Sequence, residues 1–184
     1  MNDEELRPAW SEQFAPESLR ELAAYGPLAG ITPEWAWGGS TGAGVRVAVI
    51  DSGIERDHPA LGDSVKGGVI VELDDEAELG IRVDPDEDIV DLSGHGTACA
   101  GIIHGIAPEA ELYSVRVLGR NMRGRAMQFA GGIDWAIENG MHVANMSLST
   151  SKEDYLALFY DLADQAVFKN IMLVAAVNNI PAPS

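Results

Sequence analysis

Short apolar runs alternate with amphipathic segments along most of the chain. The runs are rich in β-branched side chains, a composition typical of strands that are buried on both faces of a parallel sheet. They predict strands over residues 45–50, 68–72, 111–118, 143–147 and 171–176. Between them, helical spacing predicts helices over 127–139 and 155–170, and small apolar residues predict a buried helix over 96–105. The pattern predicts an α/β fold built from βαβ units.

The first part of the chain has a different character. Residues 11–25 place apolar side chains among charged ones at near-helical spacing, with prolines on either side of the most regular part. We interpret residues 1–30 as an N-terminal extension. Trp and Gly are frequent over 31–44, which predicts a short helix and then a turn into the first strand. No repeat or linker follows, so residues 31–184 are predicted to form one domain.

The composition narrows the classes of partner. Of 184 residues, 46% are hydrophobic and 22% are charged, which is typical of a globular domain with a buried core. The formal net charge of −17 repels nucleic acid and anionic membrane surfaces, so we expect neither as a partner. The longest apolar runs are also much shorter than a membrane-spanning helix.

Much of the negative charge lies between Glu72 and Asp91, where Arg82 is the only base. We interpret this run as a solvated surface hairpin or loop, since acidic runs commonly keep a protein soluble. A divalent-ion site is the alternative, and it would require oxygens that converge in space. The run lacks the alternating Asp/Asn pattern with a central Gly that marks an EF-hand loop.

The first residues of the chain and its single cysteine indicate in which cellular compartment the protein is located. Residues 1–5 are acidic, where a secretory signal has a basic start followed by an apolar run. Cys99 is the only cysteine, which excludes an internal disulfide framework and fits a reducing compartment, although a mature secreted fragment would look the same. We therefore predict a cytoplasmic location.

Two residues carry candidate chemistry. Asp51 ends an apolar strand, which places a carboxylate at the edge where open α/β folds hold their sites. His95 lies between two glycines that allow close backbone packing. A carboxylate that binds one imidazole nitrogen fixes the tautomer and lets the other nitrogen act as a general base. The alternatives are that Asp51 caps a turn, since Asp-Ser-Gly is common turn chemistry, and that His95 is structural.

Several ordered motifs resemble those of subtilisin-like serine peptidases. The segment 47–54, Val-Ala-Val-Ile-Asp-Ser-Gly-Ile, is similar to the sequence around their catalytic Asp, and Gly94-His95-Gly96-Thr97 to that around their catalytic His. The resemblance continues in register through residues 106–108, 112–118, 131–137 and 143–148. It implies a three-layer subtilisin-like fold with a mostly parallel central sheet that is incomplete at its C-terminal side.

The resemblance also implies roles for individual residues. Asp51 would orient His95, and His95 would take a proton from a serine hydroxyl and return it to the leaving amine. Asn179 falls at the position of the oxyanion-hole Asn, although it could simply terminate a strand. An extended polypeptide substrate would pair with an edge segment on one side and with the segment around Gly124 on the other. That edge segment consists of Ser147, Leu148 and Ser149.

The sequence departs from the family in one central respect. The catalytic serine of subtilisins lies in a Gly-Thr-Ser-Met-Ala-type turn, and these residues contain no such turn; Ser184 is not a credible substitute. Three explanations remain open: a nicked or split peptidase whose C-terminal fragment carries the serine, a truncated sequence, or a catalytically dead module that binds peptides. We predict that this chain alone is inactive and that its sheet has an exposed apolar flank.

Smaller departures from the family pattern affect the expected metal binding and substrate specificity. The segment 102–108 is short, and Ala60 replaces an Asp that completes a calcium site in many secreted subtilisins, so we expect no metal and no cofactor. Asn178 and Ser149 stand where the family commonly has Gly, which implies a narrower or more polar specificity pocket. Cys99 lies one helical turn after His95 and is predicted to lie behind the triad. It is either a small buried hydrophobe or a reachable thiol.

Overall fold

The structure, a computed structural model, describes residues 32–148 and 153–176. These fall into two units, residues 32–40 and residues 41–176. The first contains helix α1, Pro33–Trp37, which confirms the short helix predicted over 31–44. Thr32 caps this helix, because its hydroxyl oxygen accepts a 3.2 Å hydrogen bond from the backbone N–H of Trp35. The division at residues 30 and 31 stays a prediction.

The second unit is built around a six-stranded sheet with the order β3-β2-β4-β1-β5-β6. All neighbouring strands are parallel except β2 and β3, which form an antiparallel hairpin, so the mostly parallel sheet is confirmed. The strands are β1 Arg46–Asp51, β2 Val65–Leu73, β3 Ile81–Pro85, β4 Glu111–Arg116, β5 Val143–Met146 and β6 Met172–Ala175.

Helices cover both faces of this sheet. They are α2 His95–Ile106, α3 Ala126–Glu138 and α4 Leu156–Phe168, the last preceded by a 3₁₀ turn, Glu153–Tyr155. On one face Ala48 and Ile50 of β1 pack with residues of α3 and α4. On the other face Val47 and Val49 pack with Ala100 and its neighbours on α2. Alternate side chains of β1 thus pack into two separate cores, one on each face of the sheet. The sheet and the helices on its two faces form three layers.

Helix α2 is less buried than its small apolar residues predict. The helix buries Gly96, Thr97 and Ala100. Ile102 and Ile106, on its outer side, are 67% and 54% exposed, so the expectation of a buried helix is wrong for that side. The small residues Gly96 and Ala100 lie on the face that packs against the sheet, and the outer face is apolar without being covered.

The acidic run forms the surface hairpin that its composition predicts. Strands β2 and β3 pair across the turn, and the run continues into the loop before α2. Arg82 binds three of the carboxylates, at 2.5 Å from Asp84, 3.3 Å from Asp74 and 3.4 Å from Glu72. Because these groups are largely solvent-exposed, the ion pairs contribute little stability each. No helix among the described residues is long and apolar enough to cross a bilayer.

Candidate active site

Asp51 is the last residue of β1 and is fully buried. Strand β1 lies between β4 and β5: the chain leaves β1 for β2 on the β4 side, and β4 is later followed by β5 on the other side of β1. This is the point at which open α/β sheets commonly form a crevice beyond the strand ends. The backbone oxygen of Asp51 accepts hydrogen bonds from Val117 at 2.9 Å and Leu118 at 3.2 Å, which fix the end of the strand.

His95 is the first residue of α2, and its ring reaches the buried carboxylate. Nδ1 of His95 lies 2.8 Å from Oδ1 and 2.9 Å from Oδ2 of Asp51. The backbone N–H of Ser52 donates to Oδ1 of the same carboxylate at 2.7 Å. An ionised Asp51 makes Nδ1 the donor and leaves Nε2 as the acceptor. The His95 side chain is 38% exposed, so this ring is accessible from solvent.

Glycines permit this short distance. Gly94, which precedes His95, has a φ of +89°, a conformation that glycine adopts without strain. A β-carbon at Gly96 would collide with the carbonyl oxygen of Gly53 and lie 3.1 Å from Cβ of Asp51. The first turn of α2 is therefore packed directly on the backbone that leaves β1. The glycines flanking His95 allow the close packing that the sequence predicts.

Asp91 organises the loop that leads into α2. Its Oδ1 accepts from the hydroxyl of Ser52 at 2.7 Å and from the backbone of Ser93 at 2.9 Å. Its Oδ2 accepts from the backbone of Thr97 at 2.8 Å and from the Thr97 hydroxyl at 2.6 Å. Burial alone would raise the pKa of Asp91, but these hydrogen bonds outweigh it and lower the pKa. This carboxylate ties β1 to the first turn of α2.

The network around Asp91 was missed in the sequence. Asp91 stood in the motif before His95, but its partners are scattered along the chain and one lies 39 residues away. One signal in the sequence could have identified it: Asp91 lies six residues before Thr97, in the pattern Asp-x-x-Gly-His-Gly-Thr. A carboxylate before a helix start commonly accepts from backbone N–H groups of the first turn.

Cys99 lies one helical turn after His95, beside the dyad, as predicted. Its Sγ is 3.9 Å from Nδ1 of His95 and 3.4 Å from the hydroxyl oxygen of Ser147. The side chain is half-buried, and burial, followed by the charges of Asp51 and Asp91, raises the pKa of the thiol, while its hydrogen bond to Ser147 opposes that rise. Cys99 is thus in polar contact with two side chains and does more than fill apolar space.

The predicted substrate-binding residues are only partly described. Ser147 follows β5 and contacts Cys99, and Leu148 packs at the edge of the core shared with α3 and α4. Gly124 lies before α3, where a β-carbon would come within 2.5 Å of the Val117 carbonyl oxygen. Met122 in the same loop accepts a 2.8 Å hydrogen bond from Ser93, two residues before His95. Asn179 and Ser149 lie outside the described residues, and the roles of all these residues stay predictions.

The sheet order and the pair of side chains define an α/β protein with an Asp–His dyad at the strand-order switch. The chain belongs to the subtilase family, whose family model, Peptidase S8, matches residues 42–183. The subtilisin-like expectation is thereby confirmed.

Individual relatives agree with this assignment. Subtilisin BL of Lederbergia lenta is 38% identical over 155 residues, 79% of this chain and 52% of that protein. A thermostable alkaline protease of Halalkalibacterium halodurans is 40% identical over 151 residues, 77% of this chain and 37% of the relative. The chain therefore spans about half or less of the length of these relatives.

Solved structures give the same result. A cold adapted subtilisin-like serine proteinase superimposes with a TM-score of 0.61 at 27% identity, covering 77% of this chain and 49% of that chain. The three-layer arrangement is therefore that of a subtilisin-like fold.

Proposed function

We propose that this chain supplies the acid–base part of a serine endopeptidase. The observation that carries the proposal is the contact of 2.8 Å between Nδ1 of His95 and the buried carboxylate of Asp51. A buried carboxylate at this distance fixes the imidazole tautomer and stabilises the imidazolium that forms during catalysis. Membership of the subtilase family supports the same reaction class.

In the proposed mechanism, Nε2 of His95 takes the proton of a serine hydroxyl as the oxygen attacks a peptide carbonyl. The resulting imidazolium is stabilised by Asp51 and then protonates the amine that leaves. Water is activated by the same nitrogen to release the acyl group from the serine. Asn179 is proposed to donate a hydrogen bond to the oxyanion of the tetrahedral intermediate.

The proposed substrate is an extended polypeptide. Ser147 and Leu148 follow β5, with Ser147 in contact with Cys99 beside the dyad, and the loop containing Gly124 contacts the segment before His95 through Met122. Two backbone segments that flank a catalytic pair suit a substrate strand held by main-chain hydrogen bonds. The relatives are proteases by name, which supports the same substrate class.

The serine nucleophile is proposed to come from polypeptide outside these 184 residues. The sequence holds the Asp and His motifs but no turn of the Gly-Thr-Ser-Met-Ala type. We propose that a C-terminal fragment of the same peptidase supplies that turn and that the present chain does not cleave peptides on its own.

Matched histidine variants test this function in the protein purified together with its serine-bearing sequence. His95→Gln should lower kcat for peptide cleavage by at least about 10⁴-fold, because the general base is lost. His104→Gln is the control: His104 lies on the same helix, and its Nδ1 makes no hydrogen bond among the described residues. Equal activity of the two variants would refute the role of His95. Cleavage of a peptide by the isolated chain would refute the proposal that the serine nucleophile lies outside it.

A further inference from the structure

Three potential metal ligands of different chemistry converge at the dyad. A carboxylate oxygen of Asp51, a ring nitrogen of His95 and the sulfur of Cys99 all lie within 4.8 Å of one another. Oxygen, imidazole nitrogen and thiolate sulfur are the ligand types that Zn²⁺ takes in proteins. Cys99 is the only cysteine of the chain, so no internal disulfide can occupy its sulfur.

The distances are close to those of a zinc site. Zn–N, Zn–O and Zn–S bonds of about 2.0–2.3 Å place neighbouring tetrahedral ligands roughly 3.3–3.6 Å apart. Here Nδ1 of His95 is 2.8 Å from Oδ1 of Asp51 and 3.9 Å from Sγ of Cys99, and the Asp51 oxygen and Sγ lie within 4.8 Å of each other. Displacements on the order of 1 Å, which side-chain torsions can supply, would bring all three to coordination distance.

We propose that Asp51, His95 and Cys99 form an inhibitory zinc site that competes with the catalytic arrangement of the dyad. Zinc binding itself does not depend on the proposed function; only its inhibitory effect rests on it. The fourth position of the tetrahedron would be held by water, as in zinc sites with three protein ligands.

The surroundings favour an ion at this place. The ring of His95 is 38% exposed and Cys99 is half-buried, so an ion can enter from the solvent side while Asp51 forms the buried base of the site. Ser147 is hydrogen-bonded to the thiol, and its hydroxyl can turn to donate to a thiolate once the thiol proton is gone. Such support for a ligating group strengthens metal sites generally.

Occupation would stop catalysis by changing the imidazole tautomer. The thiol proton of Cys99 leaves to solvent, and the proton of His95 moves from Nδ1 to Nε2, which frees the Nδ1 lone pair for Zn²⁺. Nε2 then carries a proton and cannot accept one from a serine. Asp51 exchanges its hydrogen bond to the ring for a bond to the ion, so the two states exclude each other.

Cobalt titration of this chain tests the site without any need for peptidase activity. Co²⁺ replaces Zn²⁺ in such sites and gives a sulfur-to-metal charge-transfer band when a thiolate is bound. Because the sequence has one cysteine, the band can arise only from Cys99. We expect the folded chain to show the band and Zn²⁺ to remove it by competition, since thiolate ligands favour zinc.

Variants of the proposed ligands decide whether Asp51 and His95 take part in metal binding. Asp51→Asn and His95→Gln should each weaken the cobalt affinity by about tenfold or more, because loss of a ligand costs at least as much as loss of its supporting group. Asp134→Asn, an exposed acid on α3, should leave the affinity unchanged; circular dichroism verifies that every variant is folded. Absence of the band in the folded chain, or equal affinity in Asp51→Asn and Asp134→Asn, would overturn the proposal.

Discussion

Gly96, in the first turn of α2, packs against the carbonyl group of Gly53, two residues after the end of β1, and this contact leaves no room for a β-carbon on Gly96. This contact joins the helix that carries His95 to the strand that carries Asp51. The distance of 2.8 Å between Nδ1 and the carboxylate therefore depends on backbone packing as well as on the two side chains. Gly96 has no reactive side chain, yet its packing helps to set the distance between His95 and Asp51.

Gly96→Ala should separate the helix from the strand. The added methyl group meets backbone, which cannot turn aside, so we expect destabilisation of roughly 1–3 kcal/mol and a loss of peptidase activity beyond that of a merely less stable protein. Gly101→Ala is the matched control on the same helix, where a β-carbon meets nothing within 4 Å. It should stabilise the chain by about 0.5–1 kcal/mol, because alanine is the better helix former. Urea denaturation of both variants measures the difference; a Gly96→Ala chain as stable as Gly101→Ala would contradict the packing described.

The sequence predicted the dyad but not the structure that holds it. Asp51 at a strand end and His95 at a helix start could be recognised because each is marked by its immediate neighbours. The contacts of Asp91 could not, since they join residues from Ser52 to Thr97 that come together only in the folded chain. Strand β3 was predicted only as part of a surface hairpin or loop, without bounds of its own, because Arg82 and Asp84 interrupt its apolar residues in an acidic segment.

Asp91→Asn should destabilise the chain by about 1–3 kcal/mol at neutral pH. An amide offers one acceptor oxygen, so its NH₂ group would face either the two donors of Thr97 or those of Ser52 and Ser93. Asp134→Asn is the control. Partial desolvation, and after it repulsion from Glu138, raises the pKa of Asp134, so loss of its charge should be neutral or slightly stabilising.

Acid should remove the contribution that Asp91 makes to the free energy of unfolding. Its pKa is lower in the folded chain than its ordinary value, so its contribution is present above that ordinary value and is lost as pH falls through the folded pKa. Urea denaturation from pH 7 downward should show a constant gap between the unmodified chain and Asp91→Asn near neutrality, and a shrinking gap below the ordinary aspartate pKa. A gap that widened in acid would contradict this linkage.

The Asp51–His95 dyad of this chain is proposed to activate a serine outside it. The direct measurement is labelling of the serine-containing protein with an organophosphorus probe for activated serines, followed by mass spectrometry of the labelled peptide. We expect a label on a serine beyond the 184 residues, and we expect this label to be lost in His95→Gln and retained in His104→Gln. A label on a serine within these residues, or labelling unchanged in His95→Gln, would contradict it.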